Sequence, residues 1–173
     1  MRDLFTSFKD NCGFGLLASI DNTPSRRNLE DAVTSLERMM HRGAVAADGK
    51  TGDGSGLLLS IPKSFFYKVA KKEDIKLPET YAVAMVFSKN EKDFEVITDV
   101  CENNDLKVLY TRTVPVNTAA LGEQALVSLP MIKQVFVAPN SLMGARRFDA
   151  LVYLSRKEIE AKISDDRDFY IPS

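Results

Sequence analysis

The sequence predicts an α+β fold, in a single domain or part of one. Three observations carry this. The chain has 173 residues, close to the roughly 150 residues of one common domain. Hydrophobic residues make up 45% and charged residues 27%, near the globular average, which favours a real core over long disorder. Short apolar runs then alternate with helical periodicity, in the order strand, helix, strand, strand, helix, strand through the second half.

The elements follow in chain order. Phe14 to Ile20 (FGLLASI) is an apolar run bounded by Cys12-Gly13 and by Asp21-Asn22-Thr23-Pro24, the pattern of a buried strand followed by a turn. Leu29, Ala32, Val33, Leu36, Met39 and Met40 recur at helical spacing, with Glu30, Glu37 and Arg38 on other faces. This predicts an amphipathic helix from Ser25 or Arg26 to His41, ended by Gly43. A glycine-rich loop, Asp48 to Gly56 (DGKTGDGSG), comes next. Leu57 to Ile61 is the following strand, stopped by Pro62. Lys63 to Lys71 is a short helix with Phe65, Phe66 and Val69 apolar.

The second half has its own rhythm. Tyr81 to Phe87 is a strand. Glu91 to Asn103 is a helix with Phe94, Ile97, Val100 and Cys101 on one face. Leu106 to Val114 and Met131 to Val137 are strands. Ala145 to Ile163 is a helix with Leu151, Leu154 and Ile159 inward, and Phe169 to Ile171 begins one more strand. The sequence stops at Ser173 just as that strand starts, so it is expected to be a piece of a longer domain. An unpaired strand edge there predicts self-association.

Composition excludes several classes. Lys plus Arg is 23 and Asp plus Glu 24, for a formal net charge of -1, which argues against a nucleic-acid binder. No apolar run approaches the roughly 18 residues of a membrane span. The first eleven residues (MRDLFTSFKDN) lack the apolar run of a secretory signal. Two cysteines, Cys12 and Cys101, make no disulfide framework, and a reducing cytoplasm is the expected compartment. His41 is the one histidine, which excludes a two-histidine zinc site, and no metal site is expected.

Three features are candidates for chemistry. Seven of the nine glycines lie between Gly13 and Gly56. The loop Thr51-Gly52-Asp53-Gly54-Ser55-Gly56 is not a P-loop, because it precedes a strand and no Lys-Ser or Lys-Thr follows in place. Its spacing is GxGxG rather than GxGxxG. It is not an EF-hand loop either, since the twelfth position from Asp48 is Leu59. On spacing alone it is a tight connection that lets backbone pass close to a neighbour.

Cys12 has two readings. It is a small buried hydrophobe at the start of a strand, or a nucleophile exposed by removal of the eleven polar residues before it. In the second case the same residue carries thiol and free α-amine. That amine has a reference pKa near 7.7–8.0 and can act as base at neutral pH. His41-Arg42-Gly43 reads as a helix C-terminal cap. Cys101, on an apolar helix face, reads as core.

Taken together, three fragments carry a resemblance. They are Cys12-Gly13-Phe14-Gly15, Leu36-Glu37-Arg38-Met39-Met40-His41-Arg42-Gly43-Ala44, and Thr51-Gly52-Asp53-Gly54-Ser55-Gly56. In this order and spacing they closely resemble the class II glutamine amidotransferase domain that opens the large subunit of the glutamate synthases. Ile61-Pro62-Lys63-Ser64-Phe65-Phe66 extends the match. Leu121-Gly122-Glu123, Gln134-Val135-Phe136 and Phe169-Tyr170-Ile171 continue it more weakly.

The resemblance implies an N-terminal-nucleophile (Ntn) hydrolase fold: an αββα sandwich, present here in part. It implies a leader over residues 1–11, with residues 12–173 as the N-terminal part of the amidotransferase domain. Cys12 matches the nucleophile that attacks the side-chain amide of glutamine. Arg42 and Gly43 match the motif that supports it. Gly52, Asp53, Gly54 and Gly56 match the family's glycine turn leading into a strand. The oxyanion-hole Asn-Gly pair, and the arginine and aspartate that grip glutamine, are expected beyond Ser173. So this chain alone, with its leader attached, is expected to be inactive.

In the parent enzyme the resemblance implies ammonia passed to 2-oxoglutarate, with FMN and an iron–sulfur cluster elsewhere and no cofactor in this segment. The implied partners are the rest of the large subunit and a small subunit, with either NAD(P)H or ferredoxin as electron donor. The alternative is a non-catalytic binding or interaction module that keeps half of the fold.

Overall fold

A computed structural model describes residues 13–39, 43–163 and 168–173. The chain divides into two compact units, Met1–Leu57 with Gly122–Gln124, and Leu58–Leu121 with Ala125–Ser173.

The first unit is built around one helix, α1 (Arg26–Arg38). Ser25 caps it, its hydroxyl accepting from the Asn28 N–H at 3.2 Å, one of the donors that a helix start leaves unpaired. The preceding turn is the one expected at Asp21-Asn22. Asn22 takes φ 55°, and the Asp21 carboxylate accepts from the Thr23 N–H. Leu29, Ala32, Leu36 and Met39 form a half-buried stripe, but no residue of α1 is fully buried.

Two expectations fail here. The helix ends at Arg38 and not at His41. The Met39 N–H folds back onto Leu36 O at 3.0 Å, the tightened bond of a helix terminus. Residues 40–42 lie outside the described residues. Phe14 to Ile20 is no strand: it has no ladder partner, and Phe14 is 97% exposed. The run has strand composition, but a strand exists only through hydrogen bonds to a neighbour, and none among the described residues offers them.

The second unit contains a three-stranded antiparallel sheet in the order β1-β3-β2. Its strands are β1 (Ala82–Ser88), β2 (Leu106–Thr113) and β3 (Met131–Pro139). Helix α2 (Lys63–Lys72) precedes β1, α3 (Lys92–Asn103) joins β1 to β2, and α5 (Ala145–Lys162) follows β3. A 3₁₀ turn, Thr118–Ala120, and a short helix, α4 (Glu123–Ser128), lie between β2 and β3 in the chain. The sequence pattern predicts neither. This is an α+β arrangement, and the expected elements from β1 to α5 occur in order, with the 3₁₀ turn and α4 added between β2 and β3. The chain after α5 returns to β1, where Tyr170 and Phe87 exchange backbone hydrogen bonds of 3.1 and 3.0 Å. It does so as a single bridge rather than a full strand.

The sheet is covered on both faces. Helices α3 and α5 seal one face with Ile97, Val100, Cys101, Phe148 and Ile159 against Val86, Leu106, Val135 and Val137. The other face holds Phe66 and Ala70 of α2 with Leu77, Tyr81 and Phe136. The period-two alternation of β3 sends Val135 and Val137 one way and Phe136 the other. A bulge between Val108 and Tyr110 shifts the register of β2, and both Leu109 and Tyr110 join the α2 side. Phe136 is fully buried, with the Tyr110 ring stacked at 4.4 Å and the Phe66 ring edge-on at 5.1 Å.

Two further corrections belong to this unit or its margin. Leu57 to Ile61 forms no strand, since no described residue pairs with it, and Leu58 is 84% exposed. Leu154 faces water. On α5 the buried positions are Phe148, Ser155 and Ile159, spaced seven and four apart, a stripe that leaves Leu154 beside it. No helix among the described residues is long and apolar enough to cross a membrane.

Candidate functional site

The glycine-rich loop folds back on the residues just after Gly43. The Ala44 N–H donates to Asp53 Oδ2 at 2.9 Å. The Asp53 N–H donates to Ala44 O at 3.3 Å, and the Ala46 N–H to Thr51 O at 2.7 Å. Val45 and Gly52 form an antiparallel bridge between them. A short hairpin therefore joins the segment that begins at Gly43 to the segment that begins at Thr51.

The turn of this hairpin is made by Asp48, Gly49 and Lys50. Gly49 takes φ +68°, which an L side chain rarely adopts. Its N–H donates to Ala46 O at 3.0 Å. The Asp48 carboxylate gathers the turn. Oδ1 accepts from the Lys50 N–H at 3.0 Å and the Thr51 N–H at 2.7 Å. Oδ2 accepts from the Thr51 hydroxyl at 2.5 Å and from the Gln124 N–H at 3.3 Å. These bonds, the Thr51 hydroxyl foremost, hold the Asp48 carboxyl far below the usual carboxylate range.

The residues proposed from the sequence divide into four groups. Gly52 and Asp53 take part in the hairpin, and a β-carbon on Gly52 would stand 3.2 Å from Ala44 O. Gly54 and Gly56 run exposed beyond it, with no described neighbour within 4 Å of a β-carbon. Gly43 is exposed and leads directly into the hairpin. Cys12 and Arg42 lie outside the described residues. Their chain neighbours are placed. Gly13 lies beside the end of α1, where a β-carbon would meet Met39 Sδ at 3.6 Å.

Two residues acquire a role only in the structure. In the sequence Asp48 merely opens the loop, although Asp followed three residues later by Thr, across a glycine, is the signature of a side-chain-closed turn. Gly122 lies within a weak fragment of the resemblance, and no local signal ties it to a turn 71 or more residues earlier; only folding brings the two together.

The second cysteine plays no part. Cys101 is 3% exposed. Burial, with a smaller contribution from the Glu102 charge, pushes its thiol up to about 11, so it stays protonated and inert near neutral pH. Among the described residues no group of three or more His, Cys, Asp or Glu side chains is arranged to hold a metal ion.

With the geometry in hand, comparison with known proteins gives consistent matches. A family model described as glutamine amidotransferases class-II matches residues 12–173. Ferredoxin-dependent glutamate synthase 1, chloroplastic/mitochondrial, of Arabidopsis thaliana is 36% identical over 162 residues, 90% of this chain and 10% of that protein. The glutamate synthase (NADPH) large chain of Azospirillum brasilense is 35% identical over 173 residues, 95% of this chain and 11% of that protein. Glutamate synthase (NADH) of Saccharomyces cerevisiae is 36% identical over 181 residues, 95% of this chain and 8% of that protein. The chain thus spans about a tenth of the length of the relatives it matches.

Proposed function

Because this chain belongs to the class II glutamine amidotransferases, we propose that it supplies the nucleophile half of a glutaminase site that feeds ammonia to a glutamate synthase. The leader, residues 1–11, is removed between Asn11 and Cys12. Cys12 then carries a free α-amine, which takes the proton of its own thiol. The sulfur attacks the side-chain amide carbon of glutamine. The C–N bond breaks, and ammonia leaves with the proton returned by the amine. Water hydrolyses the glutamyl thioester, which releases glutamate and restores the thiol.

In this reading Arg42 and Gly43 support the nucleophile, and the rest of an αββα Ntn sandwich supplies the oxyanion hole and the substrate clamp. The rest of the large subunit, with FMN and an iron–sulfur cluster, consumes the ammonia with 2-oxoglutarate, and a small subunit is a further partner. The names of the relatives, all glutamate synthases, support this assignment.

The observation that carries the reading is the hairpin between Ala44 and Asp53. It fixes the backbone immediately after Arg42-Gly43 by bonding it to the TGDGSG segment. A loop that must hold a reacting group needs that restraint, because small misplacements cost large factors in rate.

Substitution of the nucleophile tests it. In the complete natural polypeptide that carries this chain, Cys12→Ser should abolish glutamine-dependent glutamate formation while ammonia-dependent formation continues. A hydroxyl beside a weak amine base is a far poorer nucleophile. Intact mass should place the mature N-terminus at Cys12. Equal loss of both activities, or full activity with a different N-terminus, would remove Cys12 from the mechanism.

A further inference from the structure

We infer that Asp48 and Gly122 form a latch that sets the geometry of the nucleophile's support loop, which makes them positioning residues of the glutaminase reaction. The inference rests on the reading of Arg42-Gly43 just given. It adds a role for a segment, Gly122 to Gln124, that lies far from the motifs in sequence.

The geometry of the latch is unusually restrictive. Gly122 is buried. A β-carbon built on it would lie 2.3 Å from Thr51 Oγ1, 2.4 Å from Asp48 Oδ2 and 2.7 Å from Thr51 N. Two of these atoms belong to side chains held in hydrogen bonds, and the third is backbone, so none can step aside without opening the turn. Only glycine fits. Two residues on, the Gln124 N–H reaches Asp48 Oδ2 across 76 positions of chain. Asp48 therefore holds two things at once: its own turn through Lys50 and Thr51, and the returning segment through Gln124.

The consequence passes along the hairpin in three short steps. Thr51, pinned by Asp48, accepts at its carbonyl from Ala46. Gly52 bridges Val45. Asp53 holds Ala44 through both its carboxylate and its N–H. Ala44 is the residue after Gly43. If the latch opens, the tip of the hairpin is freed to shift, and the error reaches Ala44, two positions after Arg42 in the chain. Loss of position rather than loss of a reacting group is the expected defect. It should appear in kcat at saturating glutamine, and leave KM nearly alone.

Three variants in the complete natural polypeptide decide the matter, each assayed with glutamine and with ammonia as nitrogen source. Gly122→Ala should lower the ratio of glutamine-dependent to ammonia-dependent turnover by about ten- to a hundredfold, the scale of a misplaced catalytic group, with KM for glutamine within about twofold. Thr51→Val keeps the shape and removes the hydroxyl that binds Asp48, and should lower the same ratio in the same sense. Thr51→Ser restores a hydroxyl and should restore the ratio.

A Gly122→Ala enzyme with an unchanged ratio would overturn the latch. So would equal loss of both activities in Thr51→Val, because that is the mark of a merely structural role. If Gly122→Ala does not fold, the Thr51 pair decides alone. Cys12→Ser, run beside them, separates the two ideas. An inactive Cys12→Ser with an unimpaired Gly122→Ala overturns the latch only. An active Cys12→Ser overturns the glutaminase reading and the latch with it.

Discussion

Each of the two units of this chain is held together internally by a different force. Every residue of the two apolar clusters belongs to the second unit, on the two faces of the β1-β3-β2 sheet. The first unit carries the motifs, yet α1 buries no residue fully, and its hairpin stands on backbone and carboxylate hydrogen bonds. Apolar burial is worth roughly 25 cal/mol per Å² and does not depend on direction. A hydrogen bond contributes only about 1 kcal/mol net but fixes geometry within tenths of an ångström. The contrast teaches a division of labour. Stability is concentrated where no chemistry is proposed, and positional control where it is.

The sharpest way to break the comparison is to damage the stable unit. Phe136→Ala should destabilise the second unit by about 3–5 kcal/mol, the usual cost of emptying a buried aromatic site. Phe136 is fully buried and loses its contacts with Phe66, Tyr81 and Tyr110 together. Urea unfolding followed by tyrosine fluorescence measures it. A shift below about 1 kcal/mol would mean that the aromatic cluster relaxes to fill the space, and that the core is less tightly specified than its packing suggests.

The same contrast explains what the sequence made legible. Phe94, Ile97, Val100 and Cys101 announce the inner face of α3 because burial against a sheet imposes helical periodicity on sequence. β1 and β3 are legible for a different reason: covered on both faces, they are short apolar runs, AVAMVF and VFVA, rather than alternating ones. Phe14 to Ile20 and Leu57 to Ile61 carry equally strong apolar signals and yet form no strand. A strand needs a partner as well as a composition, and composition alone does not name one. Ser155 was invisible for another reason. It is buried on α5 at 2% exposure, and a lone serine within a helical stretch carries no sign of its surroundings. In the site, the order of the motifs was legible but the latch was not, because Asp48 and Gly122 meet only through folding.

A titration sharpens the comparison at intermediate scale. The Cys101 thiol sits in the stable unit with its pKa raised from 9.0 to about 11, chiefly by burial. A group raised in the folded state stabilises that state fully below its unfolded value, and the contribution is lost as pH rises through the folded value. Between pH 9 and 11 the unfolded chain has released the proton while the native chain holds it. Stability should therefore fall across that window, by no more than about 3 kcal/mol at 1.36 kcal/mol per unit. Cys101→Ala should remove that part of the pH dependence, and the difference between the two unfolding curves isolates it from other groups that titrate there. Identical slopes for both proteins would show that Cys101 is wetter than its 3% exposure implies.

The smallest effect belongs to the hairpin. Asp53→Asn keeps the side chain's size, and its amide oxygen can still accept from the Ala44 N–H, now at 2.9 Å from Asp53 Oδ2. What it loses is the charge, and charge-assisted bonds are roughly twice as strong as neutral ones. The expected loss is only about 1 kcal/mol, local to the turn, and the unfolding midpoint of the second unit should not move. Amide hydrogen exchange reads it directly: the Ala44 N–H should exchange about fivefold faster at 1 kcal/mol, while Val135 and Val137 in β3 keep their protection. Asp53→Ala, which leaves no acceptor at all, should raise exchange at Ala44 further and reach Ala46 as the hairpin opens. If exchange at Ala44 stays unchanged in both variants, the Asp53 carboxylate does not hold this backbone, and the restraint on the residues after Gly43 must come from the Val45–Gly52 bridge alone.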